Sequence, residues 1–326
     1  MRAAGLFVGL STLDIVYRVA APPGPDEKVQ AAGQELAAGG PVANAAVTFA
    51  ALGGAPTLVT PLGRHALARH AAAELASRGV TVLDAAPDRA EPPALSSVYV
   101  VEATGERSVV SVNAAGADPE APAELAAMAA GAPVLLLDGQ HPRLALAAAT
   151  AARSAGRVVV LDAGSWKPAL PDLLPLLDVA ACSAAFRVPG TGSAEESAAA
   201  LRDGYGVPAV AVTAGPAPVR WWYAGAAGEV PVPAVTARDT LGAGDAFHGA
   251  LAWALAAAAA RNSHDRAVAG LAGAEAPRGR LPDAAGFAAA LEFAARVAAL
   301  RCETPGPRAW LADPRLLGLA AREGGG

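Results

Sequence analysis

The chain has 326 residues, 53% of them hydrophobic and 17% charged, a balance that builds a packed core and excludes a disordered chain. A net charge of −5 with no Lys/Arg cluster argues against a nucleic-acid surface. Two cysteines, Cys182 and Cys302, are too few for a disulfide framework, so a reducing cytoplasmic setting is expected.

In chain order, the apolar run from Leu6 to Leu10 predicts a buried strand, and Asp14 breaks the run too early for a secretory leader. Ile15 to Val19 and Lys28 to Leu36 read as two strands joined by the turn-rich Pro22-Pro23-Gly24-Pro25-Asp26, with no helix between them. Helical patterns follow from Val42 to Leu52 and from Leu67 to Arg78. Ser96 to Glu102 and Arg107 to Val112 predict a hairpin around Ala103-Thr104-Gly105-Glu106.

From there strands at Val134 to Leu137, Val158 to Leu161 and Ala209 to Val212 alternate with helices at Pro142 to Ser154, Ala194 to Leu201, Ala243 to Ala260 and Asp283 to Leu300. Gly79, Gly156 and Gly206 stand where left-handed helix caps are expected. Such alternation predicts a mainly parallel sheet covered on both faces. The strand pairs near 14–38 and 95–112 are read as a small lid at its edge. The apolar run from Trp253 to Ala260 is shorter than the roughly 20 residues of a membrane span and predicts a buried helix.

The strongest chemical signal is Asp239-Thr240-Leu241-Gly242-Ala243-Gly244-Asp245, just before the long apolar helix. Small residues at 242 to 244 let the backbone turn tightly and present several N–H groups at a helix N-terminus, which favours an anion. Asp245 beside that anion makes little sense as a phosphate ligand, because like charges repel. It makes sense as the group that orients an attacking hydroxyl and takes its proton. Gly39-Gly40-Pro41-Val42-Ala43-Asn44 is a second signal: paired glycines admit a ligand to the backbone, and Asn44 brings a donor and an acceptor. Asp14 lies just past the first strand, where open α/β sheets bind ligands and a carboxylate can accept from two neighbouring hydroxyls.

Taken together and in this order, these features resemble the ribokinase-like (PfkB) carbohydrate kinase family over roughly Leu6 to Leu300, and look closest to its ketohexokinase-like branch. The resemblance implies an α/β fold over the whole of 1–326: a three-layer α/β/α sandwich with a small β-strand lid. It implies transfer of the γ-phosphate of ATP, with Mg2+, to a hydroxyl of a small sugar, a ketohexose or an acidic relative being favoured. Asp245 would be the base, with Gly242, Ala243 and Gly244 as its anion hole. Asp14, Gly40 and Asn44 would hold the sugar, and Thr213, Gly215 and Thr240 the nucleotide. Ser183-Ala184-Ala185-Phe186 stands where the family often has Asn-x-x-Glu, so no metal ligand is assigned. A homodimer pairing lid against lid is expected, because the lid strands present free edges.

Two alternatives remain beside this reading: a nucleoside kinase of the same family, and a silent member that binds sugar or a protein. A P-loop is excluded, because neither Lys28 nor Lys167 follows a glycine. A dinucleotide fingerprint would need a third glycine where Phe247 stands. The five histidines show no zinc-ligand spacing; His141, after a strand, either lines the pocket or, as is more common for such a residue, stands in a surface loop, and it is given no role.

Overall fold

The computed structural model describes residues 2–268 and 281–324. Thirteen strands run in chain order as β1 (Ala4–Val8), β2 (Thr12–Val19), β3 (Gly33–Gly39), β4 (Ala55–Thr60), β5 (Thr81–Asp84), β6 (Ala94–Val101), β7 (Arg107–Ser111), β8 (Val134–Leu137), β9 (Val158–Ala163), β10 (Val179–Ser183), β11 (Ala209–Ala214), β12 (Ala217–Tyr223) and β13 (Ala226–Val230). The helices are α1 (Pro41–Ala51), α2 (Ala66–Ser77), α3 (Leu125–Gly131), α4 (Pro142–Ser154), α5 (Leu170–Leu173), α6 (Ala194–Ala199), α7 (Ala243–Val268), α8 (Ala284–Cys302) and α9 (Pro314–Gly324).

Nine strands form one sheet in the order β13-β12-β11-β10-β9-β8-β1-β4-β5, parallel from β11 to β5. The two-residue periodicity of a strand splits its apolar residues between two cores. Phe7, Leu58, Leu136 and Val160 face α1, α2, α7 and α8, while Leu6, Val8, Leu135, Leu137 and Leu161 face α3 to α6. This is the expected three-layer arrangement of helices on both faces. β1 lies between β4 and β8, so strand order reverses there and a crevice opens at the carboxyl ends of β1 and β8.

The lid is a separate four-stranded sheet, β3-β2-β6-β7. Asp14 lies within it, in register with Ala37 on β3 and Ser96 on β6. The strand expected from Lys28 begins instead at Gly33, because β2 pairs with β3 only as far as Arg18 and residues before Gly33 have no neighbouring strand to extend along. The edge hairpin of β12 and β13 is an antiparallel addition that the sequence reading lacks. Its signal was the turn at Ala224 and Gly225, both with positive φ. Gly79, Gly156 and Gly206 all adopt positive φ as expected of left-handed caps. Cys182 and Cys302 are free thiols. Among the described residues no helix is long and apolar enough to cross a membrane.

Candidate active site

Gly242 ends the loop before α7 with φ 75, a left-handed turn that glycine adopts without strain. Helix α7 starts at Ala243, so the N–H groups of Gly244 and Asp245 fall in a first turn that has no intrahelical acceptor for them. A Cβ added at Gly244 would meet no atom within 4 Å, so the backbone there is open to an approaching group. Asp245 is the acidic residue of that turn.

The carboxylate of Asp245 accepts a hydrogen bond of 2.7 Å from Asn44 Nδ2 on α1. Asn44 Oδ1 accepts in turn from Arg308 at 3.0 Å. Arg308 also pairs with Glu74 on α2 at 3.0 Å and donates to the carbonyl of Ala38. Nothing in the sequence marks Arg308: it lies 264 positions from Asn44, and only the tertiary fold brings them together.

Behind Asp245, one helical turn along α7, the His248 Nδ1 lies 3.1 Å from the Asp162 carboxylate of β9, and its Nε2 faces the Ala181 carbonyl at 3.2 Å. Burial opposes charge on this imidazole, but Asp162 and then Asp245 outweigh it and raise its pKa. Burial and the negative field of Asp162 push Asp245 up to about 7, against the hydrogen bond from Asn44. His248 and Asp245 share a helix face at i, i+3 spacing, a pairing the sequence displays but the reading did not use.

Asp14 accepts from Thr12 Oγ1 at 2.6 Å, and burial raises its pKa despite that bond, Ser96 and Arg308. The first glycine of the pair earns its place here: a Cβ at Gly39 would sit 2.0 Å from the Asp14 Oδ2. The second, Gly40, has φ 94 and packs so close that a Cβ would lie 2.3 Å from the Leu10 carbonyl oxygen. Asp14, Asn44, Gly242 and Arg308 line one cavity, together with Arg301. Thus Asp14, Asn44 and Gly242 share one cavity, Asp245 joins them through its bond to Asn44, and Gly40 stands beside it next to Gly39.

The loop itself is anchored by Asp239, which accepts from the backbone of Leu241 and Gly306, both at 2.9 Å. Its carboxylate also lies 3.5 Å from Arg301 on α8 and 3.6 Å from Arg18 on the lid. Thr240 Oγ1 accepts from lid residue Arg107 at 2.8 Å, tying the lid to this loop. Thr213 and Gly215 sit apart from that loop, at the end of β11, where Thr213 Oγ1 donates to the Cys182 carbonyl and Gly215 turns with φ 59. Ser183, at the neighbouring end of β10, donates to the Gly164 carbonyl.

The family model for pfkB family carbohydrate kinases matches residues 6–313, nearly the whole chain. The chain belongs to the pfkB family of carbohydrate kinases. As such it is a phosphotransferase with an alcohol group as acceptor. A candidate ribokinase from Agrobacterium tumefaciens resembles this kinase at 26% identity and TM-score 0.79, over 99% of this chain and 98% of the other. Two further structures share the fold: Arabidopsis thaliana ribokinase complexed with ribose and ATP, at 22% identity and TM-score 0.72 over 98% and 99% of the chains, and Xylella fastidiosa fructokinase with bound ATP, at 22% and 0.66 over 99% and 99%. Among the described residues the kinase has no cluster of three His, Cys, Asp or Glu side chains able to hold a metal ion.

Proposed function

We propose that this kinase transfers the γ-phosphate of ATP to a hydroxyl of a small sugar, with a ketohexose favoured, in a single domain spanning the chain. The observation that carries the reading is the Asp245 carboxylate at the first turn of α7, with a pKa near 7 and Asn44 fixing its orientation. A carboxylate in that state takes a proton from a hydroxyl more readily than an ordinary aspartate, because its conjugate acid is weaker.

The chemistry follows from what lies around it. Asp14 and Asn44 hold the sugar in the cavity they line, with Gly40 setting the turn that packs the start of α1 against Leu10. The attacking hydroxyl gives its proton to Asp245 as its oxygen bonds to the γ-phosphorus, and the bond from that phosphorus to the β,γ-bridging oxygen breaks, releasing ADP. The N–H groups of Gly244 and Asp245, with Gly242 and Ala243 shaping the turn, stabilise the charge on the transferring phosphoryl group. The Asp162–His248 pair sits behind Asp245 and tunes its basicity. Thr213, Gly215 and Thr240 line the nucleotide's side.

Among the described residues no side-chain cluster supplies a Mg2+ site, so the ion would arrive on the nucleotide's phosphates with water completing its shell. When bound it neutralises phosphate charge. The neighbours support a sugar acceptor and ATP, since one is a ribokinase complexed with ribose and ATP and another is a fructokinase with bound ATP. A cytosolic setting suits two free thiols and an ATP-dependent reaction.

The deciding experiment is an ATP-consumption assay across ketohexoses, aldoses, sugar acids and nucleosides. A neutral ketohexose giving the highest kcat/KM is the expected result. Turnover confined to nucleosides, or none with any acceptor, would remove the proposal.

A further inference from the structure

A second cavity adjoins the Asp14–Asn44 site, at the point where strand order reverses. It lies at the carboxyl ends of β1 and β8, and its lining includes Ser11, Arg89, Asn113 and His141. Its room of about 50 Å3 compares with the roughly 10–15 Å3 that one water needs on the same measure, so it takes a few atoms and no ring.

Two polar atoms in this lining are buried without any hydrogen-bond partner, Ser11 Oγ and His141 Nε2. Ser11 is 2% exposed and His141 1%, so solvent does not satisfy them either. A buried polar atom left unpaired is destabilising, and such atoms persist in native proteins for a reason. Of the two places open to His141, the surface loop is ruled out: it is the buried residue before α4 and lines this cavity.

Both atoms are held in place. His141 Nδ1 lies 2.5 Å from the Ala117 carbonyl, which can only accept, so Nδ1 carries the hydrogen and Nε2 keeps a free lone pair. Burial lowers the pKa of this imidazole and keeps it neutral. Ser11 N–H donates to Thr60 Oγ1 at 3.1 Å. Asp138 then clamps the two walls together. It accepts from the N–H of Leu10 and from that of Gln140, both at 2.9 Å, and these residues adjoin Ser11 and His141. Gly9 leaves space for that carboxylate, since a Cβ there would lie 2.2 Å from its Oδ1. This is a preorganised acceptor and hydroxyl pair lining one cavity.

We propose that this cavity is a subsite for an uncharged hydroxymethyl arm of the sugar acceptor, with Ser11 Oγ donating to the arm's oxygen and His141 Nε2 accepting its hydroxyl hydrogen. A hydroxyl satisfies both atoms at once, donating to His141 Nε2 and accepting from Ser11 Oγ. A carboxylate or phosphate accepts only, and would face the His141 lone pair. The cationic wall is already compensated: Arg89 pairs with Glu91 at 3.7 Å, and Arg143, beside the helix start, pairs with Asp118 at 3.7 Å. Ser11 packs against Gly40 as Asp14 does against Gly39, which places this cavity beside the Asp14 site across the paired glycines. The inference rests on the sugar-kinase reading and adds which end of the sugar is read, and how.

The test is calorimetric binding of D-fructose, and of its two analogues lacking one or the other terminal hydroxyl, to the wild-type enzyme and to Ser11→Ala and His141→Gln. Because Ser11 Oγ has no protein partner, Ser11→Ala keeps or raises the melting temperature. One deoxy analogue is expected to bind wild type about tenfold or more weakly than fructose, and that gap is expected to shrink to about twofold in Ser11→Ala. ATP affinity stays unchanged.

An equal gap in wild type and both variants, or no gap at all, overturns the subsite while leaving phosphorylation of fructose intact. Tighter binding of gluconate or of a fructose phosphate that depends on Ser11 and His141 overturns it as well. Fructose that binds with this discrimination but is never phosphorylated removes the kinase reading and keeps the subsite. Fructose that does not bind removes the subsite, and the acceptor panel then decides the kinase reading separately.

Discussion

Asn44 and Asp245 lie 201 positions apart and meet through one hydrogen bond of 2.7 Å, from Nδ2 to Oδ2. Because Arg308 donates to Asn44 Oδ1, the amide of Asn44 has one orientation only, with its NH2 group on the Asp245 side. Arg308 is thus a positioning residue for the base. Arg308→Leu should lower kcat/KM about 10–100-fold and leave Glu74 without its 3.0 Å partner, lowering the melting temperature. Arg308→Lys restores the charge without the planar fork, so it should recover stability better than activity. An Arg308→Leu enzyme with wild-type kcat/KM would dismiss the positioning role.

Asp245→Asn keeps the shape of the side chain and cannot take a proton, so kcat should fall about 10²–10⁴-fold with ATP binding retained. The same variant should be more stable than wild type at neutral pH. The carboxyl has a folded pKa of about 7 against an unfolded value of 3.8. The folded state therefore binds more protons between those values, and stability falls as pH rises through that window. Asn removes this loss. Melting curves at pH 5 and 8 read it directly: the gain should be larger at the higher pH.

The same raised pKa fixes the sign of the rate profile. The deprotonated form is the active base, so kcat/KM for the sugar should rise with pH and level off above an apparent pKa near 7. In Asp245→Asn the residual activity should lose that ascending limb. A wild-type profile flat from pH 5 to 8 would contradict the assignment of the base.

Gly244 and Asp14 separate phosphate handling from sugar binding. A Cβ at Gly244 meets nothing within 4 Å, so Gly244→Val should fold normally and obstruct only the incoming phosphoryl group. Its kcat should fall by about 10²-fold or more, the loss seen when one oxyanion donor is removed. Asp14→Ala should instead raise the sugar KM, about 10–100-fold, with the ATP KM unchanged. Its melting temperature should hold or rise, because burial already raises the pKa of that carboxyl. Equal effects of the two variants on both Michaelis constants would merge the sites that this prediction separates.

The lid carries Leu36, Val109, Val110 and Val112 as exposed large hydrophobics, and its outer strands β3 and β7 are unpaired edges. Proteins cover such edges, so a homodimer pairing lid against lid is expected. Sedimentation equilibrium should give twice the chain mass, and Val110→Lys should shift it to monomer. A monomeric wild type at micromolar concentration would end this expectation.

The sequence by itself determined the parallel α/β architecture, the lid and the loop that carries Asp245, because these are written in local periodicity and in short runs of small residues. Helix α4 was read with both its ends correct. Asp14, Asn44 and Asp245 stand out in the sequence because glycines mark the backbone around them: Gly39 faces Asp14, Gly40 precedes the helix of Asn44, and Gly242 precedes the helix of Asp245. Strand pairing was less legible: β3 starts only where β2 offers it a neighbour, and β12 and β13 pair at an edge with no parallel partner. What the tertiary structure alone decided are the contacts between distant residues. Arg308 on Asn44, Asp239 between Arg18 and Arg301, and Asp138 clamping the walls around Ser11 and His141 leave no local trace. A hydrogen bond across the chain constrains two side chains in space and not their spacing in sequence. The burial that raises Asp245 and leaves His141 Nε2 unpaired is a property of packing, which one residue's neighbours in the chain do not specify.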